Sequence, residues 1–176
     1  ITTAVAQQYW QEHVRAVMLA SPSNPTGSTI SLEEIKKLAG FLAQKQAFLI
    51  MDEIYQGLNF DEKSVTALQT GVENLFVVNS FSKFFGMTGW RLGYAIAPLK
   101  ITEGIRKVHD FLTVGAPAPL QEAAAFALAM DQSYYSQLKD SYQQARDTLY
   151  EALEKTPLNP IRPYGAYYIM CDCQAF

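Results

Sequence analysis

Cysteine is nearly absent: Cys171 and Cys173 are the only two, and Asp172 alone separates them. Residues two apart on a strand face the same way, and so close a pair rarely closes a disulfide. The two read as half-buried strand thiols in a reducing cytoplasm, with neither a metal nor a redox duty. No apolar run reaches the roughly 18 residues that a membrane span needs. Clusters of Lys and Arg are missing too; the net charge is −3, which argues against a nucleic-acid surface. There is no internal repeat and no low-complexity segment. What remains is 49% hydrophobic and 18% charged, the make-up of an ordinary globular protein. A chain of 176 residues is long enough for one compact domain and the start of a second.

Apolar strand patterns alternate with amphipathic helix patterns. Residues 14–20, 47–51, 75–79 and 92–97 read as four short strands, the last closed by Pro98. Between the first two, Ser31-Leu-Glu-Glu34 is a capping box with Ser31 as N-cap, and Ile35, Leu38, Ala39 and Leu42 continue one helical face. Continuous apolar strands separated by helices predict a mostly parallel sheet covered on both faces, an α/β architecture. Beyond Pro98 the pattern turns helical, over residues 101–111, from Pro119 through Met130, and along a polar-rich stretch at 133–154. The proline-bearing run 156–163 breaks that last helix, and residues 165–170 read as a new strand. The expected division is a large domain over 1–132, a long interdomain helix over 133–155, and the start of a small domain over 156–176. The chain begins at Ile1 rather than Met and stops soon after a strand-like run, so a fragment of a longer protein is expected.

Ligands of open α/β sheets gather at the carboxyl ends of the strands. Three polar segments lie there: Ser21-Pro-Ser-Asn-Pro-Thr-Gly27, Asp52-Glu-Ile-Tyr55 and Ser80-Phe-Ser-Lys83. Lys83 stands in an apolar run, where lost solvation disfavours the ammonium and makes the amine a better nucleophile toward an aldehyde. Arg91 can grip a phosphate bidentately, and Ser80 and Ser82 add hydroxyls suited to phosphate oxygens. Asp52 ends a hydrophobic strand, where its carboxylate needs a cationic or donor partner. Each signal is weak alone, since Asn, Pro and Gly also make ordinary turns and a single lysine is commonly just a surface residue. Their conjunction is informative.

Ser80-Phe-Ser-Lys-Phe-Phe-Gly-Met-Thr-Gly-Trp-Arg-Leu-Gly93 resembles the lysine signature of class I/II pyridoxal-phosphate-dependent aminotransferases. Ser-Asn-Pro-Thr-Gly at 23–27 and Asp-Glu-Ile-Tyr at 52–55 are similar to two further motifs of that family, in the same order. The resemblance runs over essentially the whole chain. It implies the type I fold, a large domain with a mostly parallel sheet plus a smaller domain. It also implies pyridoxal 5'-phosphate as cofactor, an amino acid and a 2-oxo acid as substrates, and a homodimer. Residue by residue, it implies Lys83 as the Schiff-base lysine, Asp52 on the pyridine nitrogen, and Tyr55 and Asn24 on the phenolic oxygen. Ser80, Ser82 and Arg91 would hold the phosphate. Asn24–Pro25 is expected to be cis. Gly27, Gly89 and Gly93 are expected to serve turns and close backbone approach, while His13 and His109 carry no role.

Family members are longer. Their N-terminal part supplies a phosphate-binding helix N-terminus and a ring-stacking aromatic, and their C-terminal part supplies the arginine for the substrate carboxylate. None of these lies within the 176 residues, so the chain alone is expected to be inactive. Two other readings share the motifs: a C–S β-lyase or related synthase on the same scaffold, and the aminotransferase-like effector domain of a transcription regulator.

Overall fold

A computed structural model describes residues 2–60 and 63–174. In chain order the elements are α1 (Thr3–Gln8), β1 (Ala16–Ala20), α2 (Leu32–Gln44), β2 (Phe48–Asp52), β3 (Leu75–Ser80), β4 (Gly93–Ile96), α3 (Leu99–Thr113), α4 (Ala118–Leu128), α5 (Gln132–Leu153), β5 (Asn159–Ile161) and β6 (Met170–Asp172). Short 3-10 turns at Ala67–Thr70 and Thr88–Trp90 complete them. Strands β1 to β4 form one sheet in that order; the first three are parallel, and β4 runs antiparallel beside β3. A separate antiparallel pair joins β5 to β6.

Burial alternates along the strands, as a period of two requires. Leu19, Leu49, Met51, Leu75 and Val77 point to one face, where Ile35, Leu38, Ala39 and Leu42 of α2 cover them. The capping Ser31 accepts a hydrogen bond from Glu34 N–H at 3.3 Å. Only half of the capping box forms, because Glu34 spends its carboxylate on the backbone N–H of Thr3, 2.5 Å away, and so ties α1 to α2. The opposite face is less covered than an all-parallel sheet requires: Met18 is 63% exposed, and all of β4 is exposed. Apolar side chains also stand in the open along α3, among them Phe111 at 93% and Leu112 at 75%.

One expected element is not where the pattern put it. Residues 165–170 do not form a strand; Gly165 makes one isolated bridge to Asn59, Ala166 adopts φ 60, and a strand starts only at Met170. The backbone groups of 164–166 are taken up elsewhere. Tyr164 and Gly165 N–H donate to Gly27 O at 3.0 and 2.9 Å, Ala166 N–H donates to Leu58 O at 3.0 Å, and Phe60 N–H donates to Tyr164 O at 2.9 Å. The segment is a clasp across two loops, and tertiary hydrogen bonds override its apolar alternation. His109 does have a partner, Thr113 Oγ1, 2.9 Å from its Nε2 within α3. Both cysteines are free, Cys171 in β6 and Cys173 just after it. Among the described residues no helix is long and apolar enough to cross a membrane, and no group of acidic, His or Cys side chains could hold a metal ion.

Leu49, the second residue of β2, is fully buried. Leu49→Ala should cost about 2–5 kcal/mol in denaturant titrations. A loss below about 1 kcal/mol would mean that the sheet–α2 interface is not the main core of the chain.

Candidate active site

Parallel pairing aligns the ends of three strands. Ala20 lies beside Asp52, and Asp52 lies beside Val78. The ladder continues one bond further on each side, with Ser21 N–H on Asp52 O at 3.0 Å and Glu53 N–H on Val78 O at 2.9 Å. The three loops therefore leave the sheet side by side, and together with the last residues of β2 and β3 they carry all seven residues singled out in the sequence.

In the first loop, Ser21–Pro22 and Asn24–Pro25 are both cis. Gly27 closes this loop with φ +65, and a Cβ there would stand 2.4 Å from Pro163 Cβ. Only glycine fits both the conformation and the contact with the 163–165 segment. Asn24 Nδ2 reaches Tyr55 OH at 3.4 Å and Tyr168 OH at 3.5 Å. The two phenols meet at 2.9 Å. Burial, with the hydrogen bonds from Tyr168 and Tyr167, pushes the Tyr55 phenol far above its ordinary pKa.

Asp52 is the last residue of β2. Its Oδ1 accepts the Ile54 N–H at 3.0 Å, while Oδ2 has no hydrogen-bond partner among the described residues. Its neighbour Glu53 points the other way and is 2% exposed, with Oε1 accepting the Ala67 N–H at 2.6 Å. Burial raises the Glu53 pKa; hydrogen bonds from Ala67 N–H and the Thr66 hydroxyl oppose the rise without cancelling it.

The third loop is folded on itself. Phe81 N–H donates to Leu92 O, Met87 N–H to Phe81 O, and the Thr88 hydroxyl to Ser82 O at 2.7 Å. Ser80 Oγ stands 2.9 Å from Ser82 Oγ and accepts the Ser82 N–H at 3.0 Å. Ser82 is buried, so Ser80 is the more open of the two hydroxyls. A Cβ on Gly93 would come within 2.8 Å of Asn79 O, which explains a glycine where β4 meets β3; Gly89, by contrast, has nothing near it. Arg91 is exposed and anchors its Nη1 on Thr88 O at 3.0 Å. Phe84 and Phe85, next to Lys83, are clamped by Tyr135 and Tyr134 of α5 in stacked pairs at 5.5 and 6.5 Å.

Lys83 departs from expectation. Its amine is not pushed toward the neutral form. Hydrogen bonding toward the Tyr167 hydroxyl raises its pKa, and this outweighs the opposing effect of burial. The Nζ lies 5.6 Å from the Tyr167 ring centre. Tyr167 and Tyr168 were not among the expected site residues, because 165–170 read as a strand of another domain. The signal that could have found them is Gly165 followed by two tyrosines, a small residue with paired amphipathic aromatics.

The donor set suits a phosphorylated aromatic aldehyde. It offers an amine, an open carboxylate oxygen at a strand end, an amide and phenol for a ring oxygen, and serine hydroxyls with a guanidinium for phosphate. A groove of about 670 Å³ elsewhere, lined by Phe48, Leu75, Ile96 and Leu99, contains none of these residues.

Comparison with known proteins agrees with that chemistry. Residues 2–175 match the family described as aminotransferase class I and II. The chain belongs to that family. Methionine aminotransferase of Escherichia coli (strain K12) is 36% identical over 167 residues, which are 93% of this chain and 43% of the relative. The solved aspartate aminotransferase from Thermus thermophilus with maleate superimposes with a TM-score of 0.92 at 28% identity, over 99% of this chain and 47% of that one. The aromatic aminotransferase from Pyrococcus horikoshii OT3 gives 0.89 at 30% identity, over 97% and 47%. The fold is thus that of the aminotransferases, and the chain spans less than half the length of the relatives it matches.

Glu53 supplies a pH test. Its folded pKa lies above the ordinary value, so its contribution to stability is full below about pH 4.3 and is lost as pH rises through the raised pKa. Glu53→Gln keeps an acceptor for Ala67 N–H and cannot ionise. Thermal unfolding across that window should show a flatter pH profile for the variant; an unchanged slope would refute the assignment.

Proposed function

We propose that this chain is the lysine-bearing half of a pyridoxal-phosphate-dependent aminotransferase that moves an amino group from an amino acid to a 2-oxo acid. The observation that carries the proposal is the convergence of Asn24, Asp52, Tyr55, Ser80, Ser82, Lys83 and Arg91 on the aligned ends of three parallel strands. Family membership supports it. The exposed apolar face of α3 supports a larger assembly in which Phe111, Leu112 and Val114 are covered, by the rest of a longer chain or by a second subunit. On this reading residues 1–132 belong to a large domain, α5 is the spine, and the clasp opens a small domain.

When bound, pyridoxal phosphate supplies an aldehyde for the amino group and a ring that draws electrons from the substrate α-carbon. The rest is the work of the chain. Lys83 Nζ is the covalent anchor and the group that moves the proton at the α-carbon. Asp52 holds a proton on the ring nitrogen through its open oxygen. Asn24 and Tyr55 orient the phenolic oxygen by hydrogen bonds. Ser80 and Arg91 bind the phosphate, with Ser82 behind Ser80 fixing its hydroxyl.

Borohydride reduction of the cofactor-loaded full-length enzyme should leave the cofactor mass on the Lys83 peptide. Finding it on Lys36, Lys37 or Lys107 would overturn the assignment. Lys83→Ala should abolish turnover of an amino acid with 2-oxoglutarate.

Asp52→Asn tests the ring-nitrogen role. Two unit charges about 4 Å apart interact by about 4 kcal/mol at an effective dielectric near 20, which corresponds to orders of magnitude in rate. The variant should keep its cofactor and lose turnover on that scale. Near wild-type turnover would exclude the role.

A further inference from the structure

Tyr168 holds none of the roles above, yet its hydroxyl meets two of the residues that do. It lies 2.9 Å from Tyr55 OH and accepts from Asn24 Nδ2 at 3.5 Å, while the same amide reaches Tyr55 OH at 3.4 Å. The three groups form a closed triangle, and two of its corners are the groups assigned to the ring oxygen of the cofactor. The clasp sets this approach. Its backbone bonds end on Gly27 O and Leu58 O, each three residues beyond one of the two partners, Asn24 and Tyr55. Gly165 permits so close a passage: a Cβ there would stand 2.6 Å from Pro22 Cγ and 2.8 Å from Leu58 O. Ala166 follows, fully buried at φ 60, a conformation that a non-glycine residue keeps only where its surroundings impose it.

A proton count decides what the triangle can do. A phenol has one hydrogen to give and lone pairs to receive, whereas an amide nitrogen only gives. Asn24 Nδ2 therefore donates to both phenols, and across the 2.9 Å between the phenols either one can be the donor. If Tyr55 gives its hydrogen to Tyr168, it has none left for a ligand. If Tyr168 gives instead, Tyr55 keeps its hydrogen for an acceptor in the site, and receiving a bond makes it a stronger donor. Burial above all pushes the Tyr55 phenol far above its ordinary pKa, so it holds that proton.

We propose that Tyr168 is a positioning residue for Tyr55, its hydroxyl donating to the Tyr55 oxygen so that Tyr55 in turn gives its hydrogen to the phenolic oxygen of the cofactor. The inference rests on the reading of Tyr55 as a donor to that ring oxygen. It adds one group to it: the oxygen is held by a relay that begins in the 165–170 segment. Ring packing does not need the Tyr168 hydroxyl. The two rings meet edge-on, 5.9 Å between centres, and a phenylalanine would pack in the same way.

The test measures binding to cofactor-free full-length enzyme. The probes are pyridoxamine 5'-phosphate, which forms no bond to a lysine, and its 3-deoxy analogue, which lacks the ring oxygen. Calorimetry with both gives one ratio of dissociation constants for each protein, and that ratio isolates the contacts to the oxygen. Tyr168→Phe should cut the preference for the oxygen-bearing probe about two- to tenfold, the worth of one ordinary hydrogen bond. Tyr55→Phe should cut it at least as far. Tyr142→Phe, in the same aromatic cluster, should leave it unchanged. Loss of packing alone would weaken both probes together and keep the ratio at its wild-type value; that result for Tyr168→Phe overturns the inference. The Tyr55→Phe ratio separates the two readings. If it moves while the Tyr168→Phe ratio does not, only the role of Tyr168 is removed. If neither moves, Tyr55 loses its place on the ring oxygen as well. A preference lost with Tyr168→Phe but kept with Tyr55→Phe also overturns the relay, because Tyr168 would then act without Tyr55.

Discussion

The register between β1, β2 and β3 is the constraint on which the rest of the structure depends. Pairing Ala20 with Asp52 and Asp52 with Val78 brings three loops out of the sheet at one level. A slip of one residue would turn every side chain to the other face, exposing Leu49 and Met51. Their burial against α2 forbids it, since each fully buried aliphatic side chain contributes on the order of 1.5–3 kcal/mol. The core thus sets the register, and the register sets the site. The geometry of the candidate site is inherited from apolar packing against α2.

A second constraint closes the site from the other end of the chain. The 164–166 clasp is fastened to the loops after β1 and β2, and Arg146 of α5 backs it. That guanidinium is buried, with its side chain 3% exposed. A group that does not lose its charge must find partners in such a place. Pro163 O at 3.0 Å, Asp147 Oδ1 at 2.9 Å and the face of Phe60 at 4.7 Å are among them. Asp147 also binds Arg162 at 3.1 Å, so α5 and the segment leading into the clasp are joined by charge as well as by backbone. Through this arrangement Tyr168 arrives at the Asn24–Tyr55 pair and Tyr167 arrives beside Lys83.

Lys83 shows why local composition misjudges an amine. Phenylalanines on its C-terminal side suggest lost solvation and a readily neutral lysine. The structure leaves it half-buried with the Tyr167 ring 5.6 Å from its Nζ, and that neighbour in space outweighs the apolar neighbours in sequence. Flanking rings do matter, but for position: Phe84 and Phe85 are gripped by the tyrosines of α5 and hold the turn that carries the lysine.

Much of this was legible in the residues themselves. The period of two in the strands, the capping Ser31 and the prolines around α4 depend on backbone geometry and local hydrogen bonding, so α2 to α5 and the four sheet strands could be located from the sequence, while the short α1 was not. The seven site residues lie in short motifs at strand ends, where topology leaves little freedom. The direction of β4 was not legible, because an apolar run of four residues pairs equally well either way. Nor was the clasp, whose alternating pattern mimics a strand while its hydrogen bonds go to loops far away in sequence. The charge of Lys83 and the presence of Tyr167 beside it were decided by tertiary structure alone, because a pKa answers to what stands within a few ångströms in space and not to what precedes or follows along the chain.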